Sequence, residues 1–174
     1  MAVGCCFTGH RTIPEDETER VRARLQVTID TLHREMGVTT FYAGGCTGFD
    51  TLAAQAVLEY RSSHPDVELI VVVPYRDQPR GWNEEDKAEY DRILAAASDA
   101  VCLADHYYNG CMPRRNRYMV DRSAVCISYQ TKPKGGTAST VKYARAKGLT
   151  VYNLADRYIG ADATETEEPG QQFS

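Results

Sequence analysis

The sequence predicts an α/β protein with a Rossmann-like, three-layer architecture: a mostly parallel six-stranded sheet with helices on both faces. Three observations carry that prediction. Short β-branched runs such as residues 67–73 alternate with longer segments whose apolar residues recur at helical spacing, such as Val21, Leu25, Ile29, Leu32 and Met36. Strands separated by helix-length segments pair in parallel through crossovers. The glycine-rich turns at Gly9, Gly44-Gly45 and Gly135-Gly136 each follow an apolar run. That places them at strand C-termini, where such sheets bind ligands.

Taken in order, residues 3–7 read as the first strand, ending in the loop Thr8-Gly9-His10-Arg11. Pro14, Glu15, Asp16 and Glu17 open a helix with the charge sign that suits an N-terminus, and Gly37 ends it. Residues 39–43 form the second strand. Gly44-Gly45-Cys46-Thr47-Gly48 turns it into an alanine-rich helix that His64-Pro65 stops. Residues 67–73 read as a central strand covered on both faces. A polar loop leads through Trp82 to a helix over about 83–97, and residues 99–104 are strand four. Residues 105–113 read as irregular, 114–122 as a short helix, 124–129 as strand five, 137–147 as a helix and 150–154 as strand six. The expected unit is one domain over 1–155, followed by an acidic tail over 156–174 with the composition of a disordered segment.

Composition narrows the function. The formal charge is −4, and Asp162, Glu165, Glu167 and Glu168 account for it, leaving a neutral body. A neutral body argues against nucleic acid as the partner, because that binding draws on many phosphate contacts. No apolar run reaches the length of a membrane span, and no signal peptide is visible. The six cysteines make no C-x-x-C pair. Cys5, Cys6, Cys102 and Cys126 read as buried strand thiols, whereas Cys46 and Cys111 sit in loops that could face a ligand. These features point to a cytoplasmic protein with reduced thiols. His10, His33, His64 and His106 lack metal-ligand spacing, so no metal is expected.

The motifs share a chemistry. Thr8, Gly9 and Arg11 offer a hydroxyl, a small residue and a guanidinium for an anion. Gly44, Gly45 and Gly48 permit close backbone approach at a helix start, although the spacing is neither G-x-G-x-x-G nor a phosphate loop with lysine. Asp50 suits either a ribose hydroxyl or a helix cap. Tyr75, Trp82, Tyr107 and Tyr108 lie in loops where a ring could stack on a base. Arg115 and Asn116 add charge and hydrogen bonds at the start of a helix. Gly135, Gly136 and Thr137 repeat the phosphate logic before the last one.

With these motifs in order, the chain resembles a YpsA-type member of the SLOG superfamily, which joins the lonely-guy phosphoribohydrolases to the DNA-processing protein DprA. The match rests on Thr8-Gly9-His10-Arg11, Gly44-Gly45-x-x-Gly48-Phe49-Asp50, Trp82, Arg115-Asn116, Met119-Val120-Asp121 and Gly135-Gly136-Thr137. The resemblance implies a Rossmann-like fold and a nucleotide-derived ligand such as ADP-ribose, NAD or a nucleoside monophosphate, bound by a sensor or regulatory protein with no required cofactor. It also makes a homodimer an expectation. In the hydrolase branch a glutamate follows the glycine motif; here Lys142 stands at its position, and Asn116 replaces a lysine. Cleaving an N-glycosidic bond passes through a cationic sugar, which a lysine would oppose. An enzyme would therefore need another carboxylate, with Asp50 and Asp121 as candidates and Arg115 beside them.

Overall fold

The computed structural model describes residues 2–156; the expectation for the acidic tail lies almost wholly outside them. Strands β1 (Val3–Gly9), β2 (Val38–Ala43), β3 (Glu68–Val73), β4 (Asp99–Cys102), β5 (Val125–Tyr129) and β6 (Thr150–Asn153) form one sheet in the order β4-β3-β2-β1-β5-β6. Every pairing is parallel. Between the strands run α1 (Thr18–Met36), α2 (Phe49–Arg61), α3 (Glu84–Ala96), α4 (Cys111–Asp121) and α5 (Gly136–Ala146). The chain winds outward from β1 to β4, then returns to β1's other side for β5 and β6. The order reverses between β1 and β5, and beyond the C-terminal ends of those strands a crevice opens.

Strand residues alternate between two cores because successive side chains point to opposite faces. Cys5, Phe7, Phe41, Leu69, Val71 and Ile127 pack with Val21, Leu25 and Ile29 of α1 and with Ala53, Ala56 and Val57 of α2. Cys6, Val72 and Cys126 pack on the other face with Met119 and Val120 of α4 and Ala144 of α5. The alanines let α2 lie close to the sheet, and Gly37, with φ 69°, closes α1 in the left-handed conformation.

Some details differ from the sequence reading. β1 continues to Gly9, because its pairing with β5 runs to Gly9 opposite Tyr129. β3 is an interior strand covered on both faces, as read, but its neighbour β4 is the edge strand, where three of four residues are exposed. Cys102 is consequently exposed rather than buried. Helix α4 starts at Cys111, three residues early, since proline is tolerated in a first turn and Pro113 sits there. Cys111 is therefore a buried helix residue rather than a loop thiol, and Arg115 lies past the first turn, not at the helix start.

Candidate anion-binding cavity

The crevice at the reversal point is a cavity of about 540 Å³. Its walls come from three places: the segment Phe7 to Thr12 at the end of β1, the Lys132 to Thr137 region that links β5 to α5, and Met112, Arg115 and Asn116 on α4, with Cys46 and Asp50 as floor. Four cations line it, Arg11, Arg115, Lys132 and Lys134, against the single carboxylate of Asp50. The chain as a whole carries −4, so the cavity concentrates the opposite sign.

Arg115 is only 4% exposed. Its Nη1 donates to Gly44 O and, at 3.4 Å, to Val72 O; its Nη2 approaches Cys46 Sγ at 3.6 Å, and its Nε donates to Asn116 Oδ1 at 2.8 Å. Among the described residues no carboxylate comes within 4 Å of the guanidinium. A buried cation held by neutral acceptors on a cavity wall is short of negative charge. Asp50 is 7% exposed and accepts from the Cys46 backbone N–H at 3.2 Å. Burial raises its pKa, and the Arg115 charge, the Cys46 N–H and Arg11 pull it back.

The glycine turns divide the work unexpectedly. A methyl group on Gly44 would lie 2.6 Å from Arg115 Nη1, so the space above that residue belongs to the guanidinium. Gly48 has φ 76°, and a side chain there would meet Arg11 C and O at 2.3 Å. This contact, with the Phe49 N–H bond to His10 O at 3.0 Å, fastens the β1 loop to the start of α2. Gly44, Gly45 and Gly48, read in the sequence as ligand-holding backbone, do not line this cavity: Gly44 seats Arg115, Gly48 seats the loop that carries Arg11, and Gly45 lies against Gln78, Tyr90 and Val71. Gly135 and Gly136 do face the cavity, with open space beside both. Gly135 is the N-cap of α5, so unpaired N–H groups and the positive end of that helix point the same way.

Of the residues singled out in the sequence, the fold brings together Thr8, Gly9, Arg11, Asp50, Arg115, Asn116, Gly135, Gly136 and Thr137. It leaves others out. Trp82 packs edge-on against Tyr90 at 5.4 Å over a neighbouring cleft that shares Cys46 and Asp50 with the cavity, and Tyr75 meets Tyr107 edge-on at 5.5 Å. Asp121 ends α4 at the far side of the sheet, where it accepts from the Tyr143 hydroxyl at 2.7 Å, so it is not a carboxylate of this cavity. Lys142 sits on the exposed face of α5 and does not line the cavity. Lys132 and Lys134 were legible as charges flanking the second double glycine, but their role depended on which turns share a mouth. His10 stood in the first motif and shows its part only through a contact to Thr131.

The YpsA model, that of the YspA SLOG family, matches residues 7–156. Curated relatives include the SPbeta prophage-derived protein YoqJ of Bacillus subtilis, 24% identical over 72% of this chain and 81% of its own length. The UPF0398 protein BH1768 of Halalkalibacterium halodurans is 30% identical over 60% of this chain, a stretch that covers 57% of that relative. Among solved structures, DprA of Streptococcus pneumoniae superposes with TM-score 0.65 at 17% identity, over 97% of this chain and 56% of that one. DprA of Helicobacter pylori, described in a single-stranded DNA binding mode, gives 0.63 at 20% identity over 97% and 73%. TM1055 gives 0.55 at 16% identity over 98% and 99%. At these identities the superpositions show a shared fold; this chain spans little more than half of pneumococcal DprA.

Proposed function

Because the chain belongs to the YpsA SLOG family, we propose that it binds a nucleotide or nucleotide-derived molecule through its phosphate groups and acts as a sensor or regulatory protein. The observation that carries this reading is Arg115, buried at the cavity wall and hydrogen-bonded to neutral acceptors, with Asp50 as the single carboxylate to offset four lining cations. A phosphate would supply the missing charge. Arg11, Lys132, Lys134 and the N-terminus of α5 surround the same space. Asp50 would meet a ribose hydroxyl on the floor. Titration calorimetry with ADP-ribose, NAD and AMP tests the proposal. Saturable binding that weakens on adding salt is the expected result, and no heat at millimolar ligand from folded protein would defeat it.

A second reading, hydrolysis of an N-glycosidic bond, draws on Asp50 alone, since Asp121 lies elsewhere. A buried carboxyl of raised pKa beside an anion site has the character of a general acid. Chromatography of nucleoside monophosphates and NAD after incubation would reveal free base, and Asp50→Asn should abolish it. No membrane association is proposed: among the described residues no helix is long and apolar enough to span a bilayer. Competition by a single-stranded oligonucleotide for the calorimetric signal would bring nucleic acid back as a ligand of the same cavity.

A further inference from the structure

We propose that His10 is a positioning residue whose neutral imidazole latches the lysine-bearing loop 131–135 against the cavity, and that protonating the ring releases the latch. The inference rests on the cavity being the anion site described above, and it concerns how that site is held in shape. His10 follows the last residue of β1 and lines the cavity. Its Nε2 accepts the backbone N–H of Thr131 at 2.9 Å. A ring nitrogen that accepts from an amide carries no proton, so the neutral ring keeps its hydrogen on Nδ1. Tyr129 meets the ring edge-on at 5.9 Å and fixes its tilt.

The segment so held contains Lys132 and Lys134 and leads to the Gly135 N-cap. A second tie runs from Gln130 Nε2 to Lys132 O at 2.9 Å, and Asn153 Oδ1 receives the Gln130 N–H at 2.9 Å. Protonating His10 would set an Nε2–H against the Thr131 N–H, donor against donor. Lys132 would then face a like charge. Burial and the Lys132 charge both lower the His10 pKa, in keeping with a ring built to stay neutral. The sign follows: the latch is complete above the ordinary histidine value of about 6.5 and is lost as pH falls through the lowered one.

The other charged groups bear on the same ring. Arg11 adjoins it, Lys134 lies in the latched loop, and Asp50 from α2 and Arg115 from α4 line the same cavity. Behind the ring, the Tyr129 hydroxyl donates to Glu17 at 3.2 Å. A charged His10 would add attraction for an anion, but across a solvent-filled mouth that attraction is screened. Release would loosen the hold on Lys132 and Lys134, two charges against the one gained, so a net loss is expected.

The test begins without ligand. In the uncomplexed full chain, the Thr131 amide resonance should shift with the same midpoint as the His10 ring protons, and in His10→Gln, which keeps an acceptor and cannot titrate, it should not move. A Thr131 signal indifferent to His10 titration overturns the latch, whatever the cavity binds. ADP-ribose, whose bridging diphosphate does not titrate in this range, is the calorimetric probe for the second arm. Its affinity should fall about threefold to tenfold, the worth of one hydrogen bond, between pH 7.5 and a pH one unit below the midpoint of the His10 ring protons, and stay nearly flat in His10→Gln. An affinity equally sensitive in both proteins also overturns the proposal. Should ADP-ribose, NAD and AMP all fail to bind at pH 7.5, the proposed function falls, while the Thr131 signal still decides the latch.

Discussion

The two ends of the sheet treat charge in opposite ways. At the N-terminal end, around the last turns of α1 and α2, polar groups meet partners. His33 contacts the Tyr60 hydroxyl and Asp66, each at 2.9 Å, Tyr60 donates to Asp30 at 3.0 Å, and Arg34 pairs with Asp30 at 2.9 Å. The Tyr60 ring also stacks on His64 at 3.8 Å, and burial together with Asp30 pushes the Tyr60 pKa up to about 12. At the C-terminal end, four cations share a cavity with one carboxylate, and the most buried of them rests on carbonyl oxygens. A network closed on itself explains folding. Uncompensated charge beside open volume calls for something not in the chain. The contrast marks the C-terminal end as the candidate site without reference to any relative.

The strongest way to break the comparison is Arg115→Met, which keeps much of the side-chain bulk and removes the charge. Anion affinity should fall about 100-fold, within the 2–5 kcal/mol span for truncating a buried charge-assisted contact. Calorimetry with AMP reads the effect, and unchanged affinity would make Arg115 a structural group like those at the other end. Gly44→Ala comes next. Its methyl would press on the guanidinium at 2.6–2.7 Å, so both stability, by about 1–3 kcal/mol, and binding should drop. A denaturant melt and a titration on one sample separate the two losses.

Tyr60→Phe probes the opposite end. Losing a hydroxyl that serves His33 and Asp30 should cost about 1–2 kcal/mol of stability, with ligand affinity unaltered. A change in affinity would mean the two ends are coupled. The smallest effect is expected from Asp50→Asn. Burial raises this carboxyl's pKa, so the fold holds the proton more tightly than the unfolded chain does. Its stabilising contribution is full below the unfolded value, about 3.9, and is lost as pH rises through the raised folded value. The asparagine variant should thus melt slightly higher than the parent at pH 7, and the gain should vanish near pH 4. Thermal melts at both pH values decide the sign.

The sequence by itself determined the layers. Alternation of apolar runs with helical periodicity requires a covered parallel sheet, and that is what β1 to β6 and α1 to α5 form. It also exposed the right turns, because glycine at a strand end is a backbone necessity visible in one dimension. It did not say which glycines face the cavity. Gly44 and Gly135 read alike in the chain, yet one lies under a guanidinium delivered by a helix 71 positions later, and the other opens on the cavity. Nor did it separate Asp50 from Asp121, two carboxylates beside candidate motifs that the winding of the chain sends to opposite ends of the sheet. Local pattern sets secondary structure because its forces act within a few residues. Whether a charge is answered depends on neighbours remote in sequence, and only the packed fold brings those together.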